Sequence, residues 1–270
     1  MNQLIAVEPG YLFNCLIIGD RHRPVMLVLH GFMGSCNDFK AVVTKPDFCW
    51  VLVDLPGHGE TEVEQDEHYL MPKVAQALVQ LLNKLNIEQC SLWGYSMGGR
   101  VALYLAVYFP QYFQSVILES ASPGLKTQEE RDRRIEKDLK LARKLELISL
   151  PQFLEQWYNN PLFESLRQHS KYQRMLARRL QNNPLKLAKS LRLIGLGVQP
   201  SLWESVSGIS VPLILIVGAF DSKFIAINYK MLYLSSKAKI NIVEGSGHNV
   251  HFEQPLKLSQ LIKQVKSSAS

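Results

Sequence analysis

Cysteine is scarce in this chain and shows no pairing pattern. Its four residues, Cys15, Cys36, Cys49 and Cys90, are scattered, and no C-x-x-C occurs. That spacing argues against a disulfide framework and a zinc site, so no metal is expected and a reduced, cytoplasmic setting fits. Long apolar runs are also missing. Runs such as Val25–Leu29 and Pro212–Val217 fall far short of the roughly 18 residues that span a bilayer, so no membrane partner is expected. The start of the chain lacks a charged stretch followed by an apolar one, so no signal peptide is expected either. Internal repeats and long linkers are absent. What remains is an ordinary globular composition: 270 residues, 47% hydrophobic and 20% charged, enough for a sizeable core.

The net charge of +6 is unevenly spread. Between Ser122 and Ser207 there are 16 Lys/Arg against 9 Asp/Glu, whereas the rest of the chain has 14 against 15. The whole positive excess sits in one central segment. Most such charges are solvated helix surface, but the asymmetry points to an anionic partner. No recognition motif or basic–aromatic interleaving accompanies it, so a small anionic molecule is expected and nucleic acid is not.

Outside that segment, short β-branched runs alternate with helical patterns. Strands are predicted at Tyr11–Ile18, Val25–Leu29, Trp50–Asp54, Cys90–Gly94, Ser115–Glu119, Leu213–Gly218 and Ala238–Glu244. Helices are predicted at Leu70–Leu85, Gly98–Tyr108, Asn228–Leu234 and Pro255–Val265. Near-continuous apolar strands imply burial on both faces. The fold class is therefore α/β, a mostly parallel sheet flanked by helices. From Pro123 to about Trp203 strands give way to helices, broken at Pro151, Pro161 and Pro184. We read residues 122–207 as a helical lid inserted between strands of a core formed by 1–121 and 208–270, the whole being one structural domain.

Gly94-Tyr95-Ser96-Met97-Gly98 fits G-x-S-x-G between an apolar strand and a helix. The pattern is weak alone. In strand–turn–helix context it describes a sharp turn that lifts a serine hydroxyl above a sheet. Such a hydroxyl needs a base. His248, in the glycine-flanked loop after the last strand, is the candidate, with Asp221 after the preceding strand as the acid that orients it. Glu119 and Asp54 are alternative acids. The order Ser96, Asp221, His248 is that of α/β-hydrolases. His30-Gly31-Phe32 ends the first strong strand, so the Phe32 and Met97 amides are the expected oxyanion donors. His30 and His58 read as structural, His22, His68 and His169 as surface residues, and His251 as packing or surface.

These motifs resemble the α/β-hydrolase superfamily. The central segment resembles one family within it more closely. Ser122-Pro123-Gly124-Leu125, Glu129-Glu130-Arg131 with Arg134, Gln156-Trp157-Tyr158-Asn159-Asn160-Pro161-Leu162-Phe163 and Gln199-Pro200-Ser201-Leu202-Trp203 are its marks, together with Gly94–Arg100 and Asp221-Ser222-Lys223-Phe224. They are similar to the 2-succinyl-6-hydroxy-2,4-cyclohexadiene-1-carboxylate synthase family of menaquinone and phylloquinone biosynthesis, over roughly residues 25–260. Two departures are Leu196, where a threonine is usual, and Lys126, where some members carry glutamine.

The resemblance implies a lyase that removes a proton from an enolpyruvyl-bearing cyclohexene tricarboxylate and eliminates pyruvate, with no cofactor. It carries substrate binding onto Tyr95, Arg100, Arg131, Trp157, Arg179 and Lys223. Arg134 could stand in for Arg131, and Arg178 for Arg179. A polyanionic substrate would account for the basic segment, since Arg forks bind carboxylates bidentately. The alternative enzyme is a carboxylesterase or C–C bond hydrolase working through an acyl-enzyme on Ser96. A ligand-binding receptor with an idle triad is the non-enzymatic alternative.

Overall fold

Among the described residues, the apolar runs form the middle of a nine-stranded sheet. The computed structural model describes residues 2–43 and 47–267. Its strands are β1 (Asn2–Val7), β2 (Tyr11–Ile18), β3 (Val25–Leu29), β4 (Cys49–Val53), β5 (Glu62–Val63), β6 (Cys90–Tyr95), β7 (Phe113–Glu119), β8 (Leu213–Gly218) and β9 (Ala238–Val243). The order is β1-β2-β4-β3-β6-β7-β8-β9, with β5 on β2. From β4 to β9 neighbouring strands are parallel, while β1, β2 and β5 pair antiparallel at one edge. The sequence pattern missed β1 and β5. Four of the six β1 residues are exposed, so it lacks the apolar signature of a buried strand. β5 has only two residues.

Helices cover both faces, as parallel strands require. α1 (Met71–Lys84), α2 (Met97–Tyr108) and α8 (Ser222–Leu234) pack on one face through Val74, Leu78, Val101, Leu105 and Met231. A 3₁₀ turn at Cys36–Ala41, the short α9 (Val250–Glu253) and α10 (Pro255–Ser267) cover the other through Phe39, Val250, Leu258 and Ile262. Between β7 and β8 lie α3 (Gln128–Leu147), α4 (Leu150–Tyr158), α5 (Glu164–Gln168), α6 (Tyr172–Arg179) and α7 (Pro184–Ile194). Pro151 and Pro184 fall in the first turns of α4 and α7, where a missing N–H costs nothing. This helical segment has its own apolar cluster, including Phe153, Leu154, Met175 and Leu187, and takes in Met33 from the loop after β3. That contact seats it over the C-terminal ends of the strands. Among the described residues, no helix is long and apolar enough to cross a membrane.

One turn positions everything that follows. Ser96 joins β6 to α2 with φ 50° and ψ −105°, a backbone conformation most side-chain-bearing residues avoid. The turn closes because its flanking glycines lack side chains. A Cβ on Gly94 would lie 2.3 Å from the Gly98 carbonyl oxygen, and one on Gly98 would lie 2.3 Å from that of Leu29. Both obstacles are backbone and cannot step aside. Gly98→Ala should therefore destabilise by about 1–3 kcal/mol, the usual cost of overpacking, and should displace Ser96. Urea unfolding monitored by circular dichroism checks the first effect, and the rate of serine labelling by a phosphonate checks the second.

Candidate active site

Three loops at one edge of the sheet bring Ser96, Asp221 and His248 together. Ser96 follows β6, Asp221 follows β8 and His248 follows β9. His248 Nε2 lies 3.1 Å from Ser96 Oγ, and His248 Nδ1 lies 2.6 Å from Asp221 Oδ2. The carboxylate can only accept, so Nδ1–H donates to it and Nε2 is left to accept from the serine hydroxyl. Asp221 also caps α8, its Oδ1 accepting the Phe224 N–H at 3.2 Å. One residue thus both caps α8 and accepts from His248. The alternative acids are engaged elsewhere. Glu119 faces His251 at 2.9 Å, and Asp54 accepts from Asn14 at 2.7 Å and from the Cys36 N–H at 2.6 Å.

Phe32 lies in the turn after β3, and Met97 opens α2. Among the described residues, neither amide finds a backbone acceptor, so both N–H groups remain available. His30 and His58 sit beneath this loop with rings 5.0 Å apart. His30 Nε2 accepts the Leu55 N–H at 2.9 Å. Burial pushes both imidazoles below their usual pKa, which keeps them neutral. His22 is exposed, and His169 is half-buried against Phe252. The surface expectation fails for His68. It is buried and packs on Tyr11 at 4.8 Å, because the turn at Asp66–Tyr69 folds back onto β2. His251 is buried as well.

The triad opens into a cavity of about 840 Å³ beneath the helical segment. Ser96, Asp221, His248, Phe32, Met97, Tyr95, Arg100, Trp157, Arg179 and Lys223 all line it. Trp157 stands against Phe32 at 5.2 Å. Arg131 is the exception and does not line it. Its guanidinium turns back to the Gln128 side chain at 2.7 Å and the Leu125 carbonyl at 3.5 Å, away from the cavity wall. Arg134, one turn further along α3, lines the cavity instead, beside Asp138 at 2.8 Å. Lys137, Leu141 and Lys144 follow it on the same helix face. Their spacing from Arg134 is a helical repeat and was visible in the sequence. Tyr158 was also missed, and it reaches the cavity from α4.

The cations lining this cavity are not equivalent. Arg179 is buried and ion-paired: Nη1 lies 2.7 Å from Asp38 Oδ2, and Nε donates to the Tyr158 hydroxyl at 3.2 Å. Arg178 reaches the same carboxylate at 3.2 Å. Arg100 has no acidic partner among the described residues. It donates to the Ile194 carbonyl at 3.1 Å and the Gln199 side chain at 2.8 Å. Desolvation, with Arg134 adding repulsion, pushes its pKa down to about 10, so it stays charged at neutral pH. Desolvation and Arg134 also lower the pKa of Lys223.

Asp38 holds Arg179 in place. Burial raises the pKa of its carboxyl, but Arg179 and then Arg178 outweigh that and hold it below the usual carboxylate range. The contribution of a depressed carboxyl is complete above its unfolded pKa of about 3.9 and is lost as pH falls through the folded value. Asp38→Asn would leave Arg179 buried and unpaired. It should cost about 3–5 kcal/mol at neutral pH, and the gap from wild type should narrow below about pH 4. Urea unfolding across that range checks both the size and the sign.

Comparison with known proteins agrees with this geometry. The family model for the alpha/beta hydrolase fold matches residues 24–255. A solved structure of MenH from S. aureus superposes with a TM-score of 0.89 at 30% identity, covering 97% of this chain and 99% of that one. The 2-succinyl-6-hydroxy-2,4-cyclohexadiene-1-carboxylate synthase of Citrobacter koseri is 32% identical over 248 residues, 92% of this chain and 95% of that protein. A Bacillus subtilis protein that carries the same synthase name provisionally is 36% identical over 269 residues, 98% of each chain. The chain belongs to the α/β-hydrolase fold family and, within it, to the 2-succinyl-6-hydroxy-2,4-cyclohexadiene-1-carboxylate synthases.

Proposed function

We propose that the chain is a carbon–oxygen lyase of menaquinone or phylloquinone biosynthesis. It converts 2-succinyl-5-enolpyruvyl-6-hydroxy-3-cyclohexene-1-carboxylate to 2-succinyl-6-hydroxy-2,4-cyclohexadiene-1-carboxylate and pyruvate. The observation that carries the reading is Arg100. A half-buried guanidinium with no carboxylate at ion-pair distance among the described residues, acted on by Asp138 only at longer range and one helical turn beyond Ser96, calls for an anionic substrate. A neutral ester would give it no direct ionic partner, which disfavours the carboxylesterase alternative. Arg134, Lys137 and Lys223 add positive charge to the same cavity. The small-molecule partner is thus a tricarboxylate rather than a nucleic acid. A cytoplasmic location belongs to the same proposal, supported by four free, buried cysteines.

The chemistry runs through the triad. His248 Nε2 draws the Ser96 proton, and Ser96 Oγ removes a proton from the cyclohexene ring. The C–H electron pair becomes part of the new diene, and the bond to the enolpyruvyl oxygen breaks. The departing enolate recovers a proton through His248 and becomes pyruvate. No bond between Ser96 and substrate is needed. Charge that develops on the conjugated system is met by the Phe32 and Met97 amides and by Arg100. Tyr95, Trp157, Arg179 and Lys223 shape and charge the pocket, and residues 122–207 act as its lid.

Pyruvate release from the enolpyruvyl substrate tests the assignment, and its absence would defeat it. Ser96→Ala and His248→Ala should each lower turnover by several orders of magnitude, and the double variant should be hardly worse than the poorer single, because triad members act as a unit. Arg100→Ala should lower kcat/KM by roughly 30- to 5,000-fold, equivalent to about 2–5 kcal/mol for a desolvated charge pair, without full rescue by lysine. Arg131→Ala should stay within about threefold of wild type, since exposed polar contacts contribute little. Equal losses at Arg100 and Arg131 would contradict the placement of the anion.

A further inference from the structure

Glu119 ends β7 and is wholly buried, yet the reaction makes no use of it. Its carboxylate faces three nitrogens. Oε2 accepts the Trp93 indole N–H at 3.1 Å. Oε1 accepts the His251 backbone N–H at 2.9 Å and lies 2.9 Å from His251 Nδ1. The main-chain carbonyl of Glu119 accepts the Ser96 N–H at 2.9 Å. One residue therefore holds the backbone of Ser96 at one end and the histidine loop at the other, His251 lying three positions beyond His248. The loop is braced from its other side by Glu253, which accepts the Gly247 N–H at 3.0 Å and the Asn249 N–H at 3.3 Å. The His251 ring is fixed between Phe39 at 4.5 Å and Tyr95 at 4.6 Å.

We propose that Glu119 is a positioning residue that couples the serine turn to the histidine loop and thereby sets the reach between Ser96 Oγ and His248 Nε2. The proposal rests on the triad reading above and deepens it. An indole N–H and a backbone N–H can only donate, so both carboxylate oxygens are required as acceptors. A glutamine at this position presents an NH₂ to one of these donors and leaves a buried polar group unsatisfied. The loop must then shift, and a misplacement of about 1 Å in a reacting group can cost on the order of a hundredfold in rate.

Glu119→Gln is the test, made in the full chain and checked for folding by circular dichroism. Two quantities are read: kcat and KM for pyruvate release, and the rate at which a fluorophosphonate labels Ser96. Labelling needs a poised Ser–His pair but not the native substrate. Both kcat and the labelling rate should fall by roughly ten- to a hundredfold, while KM stays within about twofold. The double variant Trp93→Phe/Glu119→Gln removes one donor and lets the glutamine turn its NH₂ towards the vacated site. Its labelling rate should recover about fivefold over the single variant, a coupling that a merely structural role would not produce. If Glu119→Gln is too unstable to purify, His251→Phe keeps the ring packing, removes the Nδ1 contact and should also slow labelling. Wild-type labelling in folded Glu119→Gln, or in His251→Phe where that is the variant measured, overturns the proposal. Failure of the wild-type chain to label at Ser96 would instead remove the triad reading and the proposal with it.

Discussion

The left-handed turn at Ser96 is the constraint on which the rest of the site depends. Its conformation, φ 50°, is held by backbone packed against backbone, with the start of α2 pressed onto the carbonyls that end β3. That contact brings the Phe32 turn beside Ser96. It also aims the first turn of α2, and with it Arg100, at the cavity. Parallel strands do the remaining work. Because β6, β8 and β9 run in the same direction, the loops carrying Ser96, Asp221 and His248 emerge at one edge of the sheet. The strain at Ser96 is the kind of local cost that functional sites retain when their surroundings over-determine it.

The electrostatics of the site depend on pairing more than on charge number. The basic excess of the central segment is conspicuous in the sequence, but much of it is spent within the fold. Arg179 is neutralised by Asp38, Arg192 lies on Glu146, and Arg133 on Glu129. Arg179 serves the cavity as a fixed wall that ties α6 to the turn at Cys36–Ala41. Arg100 is different because its Nη1 donates to a carbonyl and a side-chain amide oxygen, neither of which cancels its charge. A cation left in that state inside an enclosed space is a stronger statement about the substrate than any surface count.

Much of this was legible in the sequence, and what was not has identifiable causes. The central strands read correctly because burial on both faces leaves an unbroken apolar run, as in Leu213–Gly218. β1 did not, because it lies at an edge and faces solvent along most of its length. α8 starts at Ser222, six residues before the predicted start at Asn228, since the capping signal was Asp221, a residue already assigned to the triad. His68 was read from its polar neighbours, whereas the turn that carries it folds inward. Arg131 and Arg134 lie one turn apart on α3, and only the local partners of each, Gln128 for the first and Asp138 for the second, decide which one reaches the cavity. Sequence spacing narrows such a choice to one helix face but does not resolve neighbouring turns on it.

We propose that a hydrolase triad serves here as a proton shuttle for elimination, with no covalent intermediate. An acyl-enzyme mechanism on the same residues would place substrate on Ser96. Intact-mass spectrometry of the chain during turnover of the enolpyruvyl substrate, with pyruvate followed in parallel, separates the two most directly. With a proton shuttle, pyruvate is released steadily while the mass of the protein stays that of the free chain. A substrate-derived increment on the Ser96 peptide, forming in step with an initial burst, would contradict it.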